Sequence, residues 1–174
     1  NVFSPFIAAV AVLSSFFALR NYWDNIGSQL SKIWLCFTLG MFFWFLGELG
    51  WAIYTMVLNI EIPYPSIADI FWLIGYASMF IALLLYIKII QPAISARMFF
   101  VSGTIVACAS AVAFPPLMLP VLADASQQDF VTLGISLAYP GLDLALFLEA
   151  ILGLLVFTAT SLKGRVGTAW HFMN

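Results

Sequence analysis

Tyr64-Pro65-Ser66-Ile67-Ala68-Asp69 follows an apolar segment, interrupts it with proline, and places an acid four residues later at the start of another long apolar segment. The pattern returns in shortened form as Tyr139-Pro140-Gly141-Leu142-Asp143. Serine-x-x-acid is the spacing of a capping box, in which the Ser66 hydroxyl and the Asp69 carboxylate satisfy backbone donors left bare at a helix start. In the second copy Pro140 takes the cap or first-turn position, and Asp143 falls in the first turn, where it complements the positive end of the helix dipole. Two such starts between apolar segments make the chain a series of repeated helix pairs. The alternative reading of Asp69 and Asp143 is functional: two outward-facing acids on related helices that bind a cation or a polar ligand.

Composition sets the class around this motif. Apolar residues make up 64% of 174 positions and charged residues 8%, against roughly 45–50% and 25% in soluble domains. Mean hydropathy is strongly positive. The expectation is an all-α integral membrane protein whose partners are membrane lipids and other membrane subunits. A net charge of −2 and the lack of any basic run exclude nucleic acid. Cys36 and Cys108 both lie inside apolar segments and read as small packing residues rather than a disulfide. The chain opens on Asn and shows no basic n-region with a small-residue cleavage site, so no signal peptide is read there.

In chain order, five apolar segments are expected to span, at about residues 2–19, 33–59, 67–90, 98–114 and 141–162, each long enough for a hydrocarbon core of ~30 Å. Ser28 or Ser31 is placed to cap the second. The fourth is expected to lose helical regularity at Pro115-Pro116 and to continue to about 122 as a kinked or extended approach, because proline removes a donor and clashes with the preceding turn. Residues 130–138 are too short to span and are expected as an interfacial or re-entrant helix that ends at Tyr139-Pro140. The tail 163–174 reads as an interfacial anchor or the first turn of a further helix. Arg20, Lys32, Lys88, Arg97, Lys163 and Arg165 all fall at ends that share one side of a five-helix path, whereas Glu61, Asp124 and Asp129 occupy the opposite loops. The positive-inside rule then puts the amino terminus outside and the carboxyl terminus in the cytoplasm.

Two acids lie within spans. Glu48 shares a helical face with Trp44, Trp51 and Thr55, and Gly40, Gly47 and Gly50 mark where another helix can approach. Glu149 lies in the fifth segment. An intramembrane acid is costly and faces a bundle interior, a cavity or a partner. Counted from the outer ends, Glu48 lies roughly 16 Å deep and Glu149 roughly 12 Å, a common level if their helices adjoin. Three roles stand open for them: a protonated hydrogen-bond strut between helices, a proton or ligand relay, or a contact between subunits. No catalytic residue, metal ligand set or cofactor site is read: His171 is the only histidine, no cysteines cluster, and no glycine loop sits between a strand and a helix.

The run Gly47-Glu48-Leu49-Gly50-Trp51-Ala52-Ile53-Tyr54, followed by residues 62–76 from Ile62-Pro63-Tyr64-Pro65 through Leu73-Ile74-Gly75-Tyr76, resembles predicted archaeal multi-span membrane proteins common in ammonia-oxidising archaea. It is similar also to membrane-embedded amino-terminal regions of some histidine kinases and diguanylate cyclases. The lack of an extramembrane domain and of redox ligands, with aromatic and glycine-marked helix faces suited to partner helices, leads to the expectation of a non-catalytic accessory subunit of a larger membrane assembly, and the first resemblance implies a monooxygenase or respiratory complex as its host. The second implies a sensor or input module whose outward acids detect an ion, a lipid or a proton. A small oligomeric transporter is a third possibility, since similar helix pairs around buried acids suit one.

Overall fold

The computed structural model describes residues 3–25, 27–90, 95–125 and 128–171, with the side chains of residues 117 and 158–171 outside that description. The readings placed on the Lys163, Arg165 and His171 side chains therefore lie outside the described residues. Among the described residues every regular element is helical: α1 (Phe3–Arg20), a short 3₁₀ turn (Trp23–Asn25), α2 (Gln29–Ala52), a π-helical turn (Ile53–Val57), α3 (Ile67–Ile90), α4 (Ala96–Ala123) and α5 (Phe130–His171). Five of these helices are long and apolar enough to cross a membrane.

The helix starts follow local chemistry. Ser28 caps α2 by accepting from the Ser31 amide at 3.1 Å, so α2 begins four residues before the apolar run alone suggests. Ser95 caps α4 in the same way, accepting from the Met98 amide at 3.2 Å. α2 does not run regularly to Asn59. It widens into the π turn, where Leu58 donates to the Ile53 carbonyl, and stops at Asn59, which takes the left-handed conformation (φ 51°) that ends helices.

Both proline expectations are corrected. α4 stays helical through Pro115, Pro116 and Pro120, and α5 stays helical through Pro140, so residues 130–138 are its first turns rather than a separate interfacial or re-entrant helix. The true start of α5 is Asp129, whose Oδ2 accepts from the Val131 and Thr132 amides at 3.1 Å each. With that cap made, Pro140 forfeits only its own bond to the Ser136 carbonyl and strains one turn, about 3 kcal/mol. A break among apolar side chains would strip partners from several backbone groups. The second Tyr-Pro copy is thus an interior turn and not a helix start, and α5 continues past Leu162 to His171.

α1 and α2, α2 and α3, and α4 and α5 pack as neighbours in sequence, while α3 and α5 pack without being consecutive. α2 meets α3 most closely through glycines. A Cβ on Gly47 would lie 2.5 Å from the Trp72 indole, and one on Gly75 would lie 3.1 Å from the Gly40 carbonyl oxygen. Gly50 instead faces Ala68 at an ordinary 3.8 Å. These contacts run antiparallel, so Phe3, the end of α2 and the start of α3 share one end of the bundle. The α3–α5 contacts run parallel, pairing Tyr64 with Ser136, Asp69 with Tyr139, Tyr76 with Asp143 and Tyr86 with Gly153.

Candidate functional site

The parallel register of α3 and α5 brings the two Tyr-Pro copies together. Asp69, 3% exposed, reaches back to its own helix start: its Oδ2 accepts from the Ser66 amide at 2.7 Å and from the Ser66 hydroxyl at 2.9 Å. Only the acid half of the capping box forms, because the Ser66 hydroxyl donates to Asp69 instead of accepting from its amide. The second oxygen, Oδ1, accepts from the Tyr139 hydroxyl at 2.7 Å. Three donors converge on one carboxylate, so Asp69 is committed to structure and has little capacity left for a ligand. Tyr64, whose Tyr64–Pro65 peptide is cis, shares a hydrogen bond of 2.9 Å with Ser136.

One level further along, the Tyr76 hydroxyl donates to Asp143 Oδ1. The Tyr76 ring lies edge-on to Trp44 at 5.1 Å and tilted against Tyr139 at 6.0 Å. Asp143 is exposed on the face of α5 where α1, α2, α3 and α5 line an open cavity of about 600 Å³. Its walls are Ile7, Ala8, Ala11, Met41, Met79 and Leu146, with Ser4, Tyr76 and Asp143 supplying the polar groups. An apolar chamber with a few convergent polar groups is the usual form of a small-molecule site. Asp143 gives up one lone pair to Tyr76 and keeps the others for a donor in the cavity.

Glu48 stands apart from Asp143. Half-buried on α2, it accepts a hydrogen bond from the Ser4 hydroxyl and so joins α2 to α1. Trp51 is also half-buried, and its carbonyl accepts from the Thr55 hydroxyl at 3.0 Å. Glu149, 6% exposed, lies deeper, beside Leu83 and Tyr86 of α3. The expected common level of the two glutamates is corrected by the helix registers. Gly47 opposes Trp72 near the start of α3, whereas Glu149 shares a cavity with Leu83, some ten residues or ~15 Å further along. Depth counted from Gly141 starts the last helix eleven residues after its true beginning.

Outside the spans, Asp129 has its carboxyl held below the usual carboxylate range, first by the Thr132 hydroxyl at 2.6 Å and then by the Thr132 amide. Among the described residues no group of three His, Cys, Asp or Glu side chains gathers as a metal site. Sequence reasoning passed over Tyr76, Ser4 and Ser136. Tyr76 had a signal, since it stands seven residues, two helical turns, after Asp69 on the same face. Ser4 and Ser136 had none, because their partners sit on other helices.

Comparison with protein families, with curated proteins and with solved structures finds no match for this chain.

Proposed function

We propose that the chain is an integral membrane protein of the sensor or input-module class, whose inter-helix cavity takes an amphipathic ligand by a hydrogen-bond-donating or cationic group at Asp143. The observation that carries the reading is a single acid on the wall of an otherwise apolar chamber of about 600 Å³, beside Trp44 and Tyr76. A carboxylate there discriminates by charge and hydrogen bonding, while the walls contribute apolar contact. Arg20, Lys32, Lys88 and Arg97 all lie in terminal turns at the opposite end of the bundle. By the positive-inside rule that end is cytoplasmic, and the Tyr-Pro copies and the amino terminus face outward.

The test is mass spectrometry of organic extracts from the purified full chain. A small molecule enriched in the wild type is expected to be depleted in Asp143→Asn and in Ala11→Phe, which fills the chamber. A wild-type extract indistinguishable from both variants would sink the reading.

A second reading, an accessory subunit of a larger membrane assembly, draws support from α4. Only 6% of its span is buried, against 17–22% for the other four, and it packs chiefly on α5. A face so bare suits a partner helix as well as lipid. Gentle solubilisation of native membranes followed by mass spectrometry separates the two, because the subunit reading requires a stoichiometric partner.

A further inference from the structure

The groove that holds Asp143 continues. Tyr76 and Met79 on α3 are followed at helical spacing by Leu83 and Tyr86, and Asp143 and Leu146 on α5 by Ala150 and Gly153. Between these later residues lies a second cavity of about 280 Å³ with Glu149 on its wall. Gly153 makes the room, since the Tyr86 ring lies 3.0 Å from where a Cβ would stand. The volume is just below the ~300 Å³ at which drug-sized sites begin, so the occupant is small.

Glu149 is 94% buried, and its Oε2 is fully enclosed without a hydrogen-bond partner. A buried carboxyl oxygen left unpartnered is costly, and a donor in the cavity that pairs with it, once the side chain turns that oxygen toward the cavity, recovers the loss. Among the described residues no wall residue of this cavity carries a positive charge, and Tyr86 is its other ionisable group. Asp143 lies six residues up α5, ~9 Å away along the axis, and Lys88 stands about 200° around α3 from Tyr86. On α4, which packs against α5, the ionisable residues are Arg97 in the first turn and Cys108, and neither lines the cavity. Lys32 at the start of α2 stands level with Tyr86 by the α2–α3 register but is exposed and off the cavity wall, so among the described residues the wall offers Glu149 no counter-ion and a ligand can supply one.

We propose that Glu149 and this second cavity bind a small lipid-soluble amine. The amine crosses the hydrocarbon uncharged, its nitrogen lone pair takes the carboxyl proton, and the ammonium stays paired with the carboxylate; no other group leaves. Charge-assisted hydrogen bonds are about twice as strong as neutral ones, which favours an amine over an alcohol of the same shape. The inference rests on the membrane placement proposed above and not on occupancy of the first cavity.

The experiment uses the reconstituted full chain, wild type and Asp143→Asn, treated with dicyclohexylcarbodiimide at fixed pH. The reagent adds whole across the O–H of a protonated carboxyl in an apolar setting, and the mass of the Glu149 peptide reports the adduct, with Glu48 as internal reference and Glu149→Gln as the blank. N,N-dimethyloctylamine at about ten times its half-protecting concentration is expected to slow labelling of Glu149 about tenfold in both chains, while 1-octanol leaves it unchanged. Protection by phosphatidylethanolamine vesicles, relative to phosphatidylcholine alone, supports the same chemistry with the headgroup as the source of the amine. Absence of an adduct at Glu149, labelling unaffected by the amine, or equal protection by octanol overturns the proposal. Failure of the membrane placement registers separately, as release of the chain by alkaline carbonate.

Discussion

At the scale of single residues, Asp69 does the work of three connections and Asp143 of one. Asp69→Ala leaves the Ser66 amide, the Ser66 hydroxyl and the Tyr139 hydroxyl without their acceptor. The expected loss is about 2–4 kcal/mol, combining a helix cap with hydrogen bonds to a charged group, and thermal unfolding in detergent measures it. A double-mutant cycle of Asp69→Asn with Tyr139→Phe is expected to show coupling of ~1–2 kcal/mol, because the two share one bond between helices. Zero coupling would mean that the α3–α5 register is set elsewhere. Asp129 predicts an acid response. Its folded-state pKa lies below the unfolded value of ~3.9, so its contribution is present above about pH 4 and is lost as pH falls through the folded value. The protection of the Val131 and Thr132 amides, intrinsic over observed exchange rate, is expected to fall in that acid window, and Asp129→Ala is expected to show the low protection already at pH 6.

Elements add what residues alone do not determine. α5 keeps its helix through Pro140 because its cap sits at Asp129, eleven residues before that proline. Pro140→Ala restores a donor for the Ser136 carbonyl and is expected to stabilise the chain by about 1–3 kcal/mol. Were the Tyr-Pro pair a helix start, the same change would be neutral or destabilising. The α2–α3 contact makes a paired prediction. Gly75→Ala drives a methyl against the Gly40 carbonyl oxygen at 3.1 Å and the Trp44 amide nitrogen at 3.3 Å, backbone atoms that cannot swing away. It is expected to cost about 1–3 kcal/mol. Gly50→Ala, whose nearest neighbour is 3.8 Å away, is expected to leave the melting temperature within error. Gly50 is marked in sequence as a point of helix approach and Gly75 is not, and the register reverses that order.

For the whole molecule, the order α1–α2–α3–α5–α4 leaves α4 at the edge, and the open cavity beside Asp143 takes its walls from the other four helices. Topology is checked by single cysteines in a background without Cys36 and Cys108: Asn59→Cys is expected to react with an impermeant maleimide from outside intact cells, and Asn25→Cys only after permeabilisation. The reverse pattern would invert the proposed orientation. What the chain determined on its own is the number of long apolar helices, the acid at the start of α3 and the clustering of basic residues at one end. Each depends on neighbours within a turn or on composition, and so leaves a local trace. Tertiary structure decided that Tyr139 answers Asp69 and Tyr76 answers Asp143, and that Glu48 and Glu149 stand at different levels. Those outcomes turn on which helices adjoin and in what register. In a chain of nearly uniform hydrophobicity, helical periodicity carries little of that information, because an apolar side chain is equally acceptable against lipid and against another helix.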